Sequence, residues 1–238
     1  MNIMARELDF KALNEQVRAA DGEICIDECY GQRYIGSGAK QKKIVINGTP
    51  GNALGAYLDG AVIEVNGNAQ DAVGDTMNDG KIVIHGNAGD ALGYAMRGGT
   101  IFVKGNAGYR TGIHMKEYKE KRPVIVIGGK VGSFLGEYLA GGLIIVLGIG
   151  SESVPVGNFT GTGMHGGRIF IRTNMELVAL PAQVIAEIAS DKDLQEIKSY
   201  ISEFANFFNM DSQQLVKDRF YMLKPNAKNP YKQLYTTN

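Results

Sequence analysis

Few side chains in this sequence have the types and spacing to do chemistry. Asp71 and Asp90 stand 19 residues apart. If 19 residues made one structural repeat, the two carboxylates would sit on neighbouring repeats at roughly 5 Å, the strand separation of a sheet. Carboxylates so placed can bind calcium or share acid and base roles in glycoside cleavage. The competing reading is two solvated turn residues, and the absence of tryptophan removes one common platform for a sugar. The three histidines are His85, His114 and His165. His114 follows Thr-Gly-Ile and His165 follows Thr-Gly-Met, at different repeat offsets, which argues against a shared metal site. The two cysteines, Cys25 and Cys29, have no second pair to complete a zinc or cluster site, and read as small core residues. Neither a Gly-x-Ser-x-Gly elbow nor a phosphate loop ending in Lys-Ser/Thr is present. As carriers of an enzyme on the surface of a repeat fold, a hydrolase or a lyase, Asp71, Asp90, His114 and His165 are the only candidates.

The elements that would position these residues recur. Gly48, Gly67, Gly86 and Gly105 fall 19 apart, as do Gly36, Gly55, Gly74, Gly93 and Gly112. Ile44, Ile63, Ile82 and Ile101 keep the same step. Insertions around MKEYKEKRP and GSESVP interrupt the pattern, which otherwise runs from Gly31 to Arg172. Each unit reads as a short β-branched strand (KIVI, TIFV, VIVI, LIIV, RIFI) followed by two glycine-rich turns. Nineteen residues are too few for a strand, a full helix and their connections, but they suffice for one coil of strands and turns. The spacing predicts an all-β fold, a single-stranded parallel β-helix whose seven best-formed strands stack over roughly 30 Å. Asn68, Asn87 and Asn106 share one offset and are expected to form a ladder of stacked amides. His85 takes the offset of Asn47 and Asn66 and is expected to face a turn. The Lys116–Arg122 insertion reads as a solvated bulge, with a contact loop for another protein as the alternative.

Composition agrees with a folded rod of zero net charge. Of 238 residues 32 are glycine, about 13%, with only six prolines and no three-residue period, which excludes collagen and low-complexity tracts. Twenty-five basic residues balance 25 acidic ones, so no overall field attracts nucleic acid or an anionic membrane. No apolar run is long enough for a membrane span, and the charged N-terminus does not resemble a signal peptide, so a cytoplasmic location is expected.

The flanks differ, dividing the chain into an N-terminal helix and cap (1–30), the coil region (31–172) and a helical C-terminal extension (173–238). Asp9 caps a predicted helix with Phe10, Leu13, Val17 and Ala20 on one face. Leu194, Ile197, Ile201, Phe204 and Phe208 predict an amphipathic helix over Asp191–Phe208, and Asp211 or Ser212 a further one through about Leu223. Such helices can cover the ends of a solenoid, or the C-terminal one can dock on a partner. The tail, with Pro225 and Pro230, reads as extended.

The units Gly48-x-x-Gly51-x-x-x-Gly55, Gly86-x-x-Gly89-x-x-x-Gly93, Gly105-x-x-Gly108-x-x-x-Gly112 and Gly129-x-x-Gly132-x-x-x-Gly136 resemble a known repeat. It belongs to the C-terminal domain of the glutamate synthase large subunit and to one of the subunits of formylmethanofuran dehydrogenase. The stretches Gly136–Gly148 and Gly161–Ile171 are most similar to the glutamate synthase version. Gln70 and Val154 depart from the motif, each standing where a glycine is expected. The resemblance implies a right-handed β-helix with a supporting role and no catalytic, cofactor or metal residues of its own. It also implies partners, an amidotransferase and a synthase carrying FMN and an iron–sulfur cluster, with homo-oligomerisation a further possibility. In this reading the chain braces a glutamate synthase-like complex. The alternative is a scaffold of another redox complex, such as formylmethanofuran dehydrogenase.

The periodicity makes a direct prediction. Gly93 is the second-turn glycine of a central unit, so Gly93→Val lowers the unfolding midpoint clearly, through backbone strain and crowding by neighbouring coils. Lys119→Ala, in the insertion, leaves it nearly unchanged. Equal midpoints in thermal unfolding would contradict the 19-residue register.

Overall fold

The structure is a computed structural model that describes residues 1–177 and 180–226. The tail from 227 onward, read above as extended, lies outside the described residues. Among the described residues, eleven strands form one sheet. They are β1 (Asn2–Met4), β2 (Glu23–Tyr30), β3 (Lys43–Thr49), β4 (Asp59–Asn66), β5 (Asp79–Ile84), β6 (Thr100–Val103), β7 (Val124–Ile127), β8 (Leu143–Val146), β9 (Arg168–Arg172), β10 (Val184–Ile188) and β11 (Phe220–Pro225). From β1 to β9 every neighbour pairs in parallel, one strand per coil. The ladder starts before Gly31, because Glu23–Tyr30 already carries the inward pair Ile24 and Ile26.

Strand parity builds the core. Ile24, Ile44, Ile63, Ile82, Ile101, Ile125, Ile144 and Ile169 are successive register partners, and all are fully buried. Stacking one β-branched side chain on its own kind every coil fills the interior with close-packed aliphatic groups. The row beside it points outward and changes character along the rod. Cys25, Val45 and Glu64 lie on the open face, whereas Val83, Phe102, Val126, Ile145 and Phe170 are fully buried.

The cover for that second group is α2 (Asp191–Phe208). A capping box between Ser190 and Asp193 starts it, and it buries Ile197, Ile201, Phe204, Ala205 and Phe208. Phe204 meets Phe102 at a centroid distance of 6.5 Å. Ion pairs pin the helix at its edges: Glu203 to Lys81, and Glu196 to both Arg168 (2.5 Å) and Arg122 (2.7 Å). The C-terminal helix is therefore a strap along the side of the rod, not an end cap. The reason is that β7 and β8 are apolar on both faces, and the outer face needed a lid.

The ends are closed separately. At the N-terminus α1 (Phe10–Ala19), capped by Asp9, buries Leu13 and Val17 against the first coil. Lys42 Nζ donates to the carbonyls of Val17, Arg18 and Ala20 and so caps its C-terminus. At the other end the predicted helix through Leu223 is corrected. Only α3 (Ser212–Leu215) is helical, and Phe220–Pro225 is strand β11, antiparallel between β9 and β10. Phe220 and Met222 face the strap while Leu223 faces the core, a period of two imposed by the open edge of β9.

The corner of each coil is built from alternating left-handed residues. Ala91, Gly93 and Ala95 have φ of 54°, 68° and 50°, and the pattern repeats at Ala72-Gly74-Thr76, Arg110-Gly112-His114 and Phe134-Gly136-Tyr138. The middle position needs glycine twice over. A Cβ on Gly93 would stand 2.5 Å from Ile125 Cδ1, and its φ is positive. The outer two positions accept other residues at about 1–3 kcal/mol of strain each, buried at Ala53 and Thr76 but exposed at Arg110, His114 and Tyr138. Hydrogen bonds in both directions offset that strain: Gly93 N donates back to Val73 O (2.8 Å), and Ala91 N and Ala95 N donate forward to Tyr109 O (2.8 Å) and Ile113 O (2.9 Å).

Removing the strap's central anchor tests this packing. Phe204→Ala should cost about 3–5 kcal/mol in urea unfolding, whereas Val45→Ala, on the same sheet face where no helix lies, should cost no more than about 1 kcal/mol. Similar losses at both sites would contradict the strap assignment.

Candidate functional site

Asp71 and Asp90 come together as the register requires, but as rungs of a ladder. Asp90 N donates to Asp71 Oδ1 at 2.9 Å, and Tyr109 N donates to Asp90 Oδ1 at 2.8 Å. A second ladder runs beside it: Asn87 N, Asn106 N and Lys130 N donate to Asn68, Asn87 and Asn106 Oδ1, each at 2.8 Å. The expected stack of amides is thus mainly a side chain-to-backbone relay, one coil's oxygen taking the next coil's turn N–H. An open groove of about 600 Å³ lies over both ladders, lined by Asn52, Asn68, Gln70, Asp71 and Asn87. The carboxylates there serve turn closure, the role Asn52 also fills toward Asp71 N at 3.3 Å.

The histidines are dispersed. His85 sits at the bend just after β5, as expected, and points to the outer side, where Nε2 meets Glu64 Oε1 at 2.8 Å and the ring packs edge-on against Phe208 at 5.2 Å. His165 Nδ1 lies 3.2 Å from the carbonyl of Gly163. His114 stacks on Tyr138, with centroids 5.0 Å apart and planes 9° apart. Among the described residues, no group of three or more His, Cys, Asp or Glu side chains converges on a metal position.

The cysteines divide. Cys29 is buried, and the loss of hydration pushes its thiol up to about 11, against a smaller opposing hydrogen bond at Gln32. Cys25 is corrected from core to outer face. The isoleucines on either side take the inward positions, leaving its sulfur 3.8 Å from Asp27 Oδ1 and 3.6 Å from Asn47 Nδ2. Desolvation first, then the Asp27 carboxylate, raises its thiol above the ordinary range. Both thiols are held in the protonated form, the opposite of an activated nucleophile.

The Lys116–Arg122 insertion is solvent-exposed, as read from the sequence, and is tied to the rod by ion pairs. Lys121 reaches Asp79 at 3.0 Å and Asp59 at 3.5 Å, and these carboxylates raise its pKa. Arg122 ties the loop to Glu196 of the strap.

One cluster carried no motif. Exposed and half-buried aromatic rings line the corner formed by the left-handed turns, from Tyr34 and Tyr57 to Phe134, Tyr138 and Phe159. Tyr94 leans edge-on to His114 at 6.0 Å, Phe134 stacks on Phe159 at 5.0 Å, and Arg110 Cζ lies 5.1 Å above Phe134. The 19-residue register could have found them, since Arg110, Phe134 and Phe159 occupy the offset of Ala53, Ala72 and Ala91.

Fold and site together define a parallel β-solenoid whose reactive side chains are engaged in its own lattice. The chain belongs to the GXGXG motif family, which matches residues 10–228. It is 42% identical to an uncharacterised protein of Methanocaldococcus jannaschii, over 98% of this chain and 95% of that one. Among solved structures it is similar to a chain of the formyltransferase/hydrolase complex from Methylorubrum extorquens in complex with methylofuran. There the TM-score is 0.63 at 22% identity, covering 84% of this chain and 72% of that chain, a likeness of fold. No helix among the described residues is long and apolar enough to cross a membrane.

The thiols give a pH test. Because folding raises the Cys29 pKa, the stability it contributes is present below the ordinary thiol range and is lost as pH climbs through about 11. At pH 8, iodoacetamide should label native Cys29 at least about a hundredfold more slowly than the urea-unfolded chain. Rapid native labelling would reveal an activated thiolate and contradict the assignment.

Proposed function

We propose that this chain is a noncatalytic scaffold subunit of a multi-subunit enzyme complex, with catalysis and cofactors carried by its partners. The observation that carries the reading is the use of Asp71 and Asp90, the best-placed candidate acids, as hydrogen-bond rungs between coils. The solenoid is a rigid one-dimensional body with long side faces, a shape suited to holding other subunits at fixed spacing. That its solved neighbour is a chain of an enzyme complex supports the same reading.

Two kinds of assembly fit. The neighbour favours a formyltransferase/hydrolase complex, and the repeat resemblance adds another redox complex, such as formylmethanofuran dehydrogenase, beside it. A glutamate synthase-like complex rests on the stretches Gly136–Gly148 and Gly161–Ile171, and its partners would be an amidotransferase and an FMN, iron–sulfur synthase.

Native affinity purification with mass spectrometry separates them. Stoichiometric recovery of formyl-handling subunits supports the first assembly, and an amidotransferase with a flavin, iron–sulfur protein supports the second. A chain that purifies alone from its source, with turnover of its own on sugars or short esters, contradicts the scaffold reading.

A further inference from the structure

The sheet has two edge strands, β1 and β10, and they are protected unequally. An edge strand offers its backbone N–H and C=O groups to any strand that can pair with it, and proteins blunt such edges by shortness, proline or charge. β1 is three residues long. β10 is the five residues VIAEI, with no proline and one carboxylate, Glu187, which Lys224 neutralises at 2.6 Å. Its last residue, Ile188, is 63% exposed, and no other valine, leucine or isoleucine among the described residues lies so open.

Hydrogen-bond parity identifies the open groups. At the two ends of the β10–β11 ladder Asn226 N donates to Gln183 O and Ala189 N donates to Phe220 O, both at 2.9 Å. Antiparallel pairs alternate, so Gln183, Ile185, Glu187 and Ala189 turn their backbone groups toward β11, and Val184, Ala186 and Ile188 turn theirs away. Val184 N is already engaged, donating to Pro181 O at 2.9 Å. Among the described residues, the N–H groups of Ala186 and Ile188 and the carbonyls of Val184, Ala186 and Ile188 are therefore left without a strand.

This set is complementary to itself. When two β10 strands meet antiparallel about a two-fold axis at Ala186, each Ala186 N–H faces the second copy's Ala186 carbonyl. Each Ile188 N–H then faces the second copy's Val184 carbonyl. The donor missing from a full ladder is Val184 N, the one that the chain satisfies internally. Ile188 comes opposite Val184, an apolar pair on one face, and the small Ala186 lies on the axis. Each Glu187 keeps its own Lys224, so the seam carries no net charge.

We propose that the chain self-associates through β10, two copies pairing edge to edge about a two-fold axis at Ala186 so that their sheets run on into one. The proposal goes beyond the scaffold reading and does not depend on it. The seam is small beside a standard interface, so the association depends on concentration. Its test uses the full chain, with sedimentation velocity over a concentration series and hydrogen exchange resolved by residue. The mass should rise from one chain toward two. Over the same range exchange at the Ala186 and Ile188 amides should slow about fivefold or more, while Ile185 and Glu187, held by β11, stay slow throughout. Ile188→Lys should move dimerisation to at least about tenfold higher concentration at an unchanged unfolding midpoint. Ala186→Pro, which removes an open N–H and no ladder bond, should also move it at least about tenfold. Met4→Lys, on the other edge, should leave it within about twofold. A chain that stays monomeric up to about 1 mM overturns the proposal, and so does a dimer that both β10 variants leave intact. Slow exchange at Ala186 and Ile188 in the monomer, the mark of a cover within the chain, overturns it too. So does protection gained only on binding a different subunit.

Discussion

A Cβ has no room at the middle left-handed residue of each coil corner, and the rest of the structure depends on that constraint. At Gly93 the nearest atom to such a Cβ is Ile125 Cδ1, and at Gly74 it is Ile101 Cδ1. The corner can close this tightly only because glycine lets the backbone lie against the isoleucine stack. Tight closure sets the coil at 19 residues, and a constant coil length keeps isoleucine over isoleucine and aspartate over the next coil's N–H. The two insertions, before β7 and before β9, lengthen single coils without disturbing this register.

The same geometry decides which residues remain for function. Inward positions are consumed by packing, and the Asn and Asp turn positions by inter-coil hydrogen bonds. The outer sheet face is exposed on β2–β4 but covered by α2 from β5 to β9. That leaves the left-handed positions open to solvent, such as Arg110 and His114, where side-chain identity costs mainly backbone strain. A protein built this way varies its surface one coil at a time, which suits a subunit that contributes contacts and leaves chemistry to others.

Much of this was legible in the sequence because period and parity report on burial. The isoleucine rows, the Asp9 cap and the limits of the Asp191–Phe208 helix follow from residue type and spacing. The strap's position was also written there, in the doubly apolar VIVI and LIIV strands, but a helix pattern does not say which surface it covers. Phe220–Pro225 was unreadable in isolation: six residues fit a helix or a strand, and the open edge of β9 settled it. Cys25 was misplaced for want of a register between Ile24 and Ile26. The left-handed Arg110, His114 and Phe134 could be found only through their offset in the repeat, because these residue types do not announce a positive φ as glycine does.

The central claim, that the chain contributes structure and contact but no reacting group, has a direct measurement. The assembled native complex would be reconstituted with a chain carrying Cys25→Ser, Asp71→Asn, Asp90→Asn and His165→Asn. The two asparagines keep an oxygen for each ladder rung, so the complex should still form, and its kcat should stay within about twofold of wild type. A fall of about a hundredfold or more in kcat with assembly intact, the scale of a lost acid or base, would contradict the account.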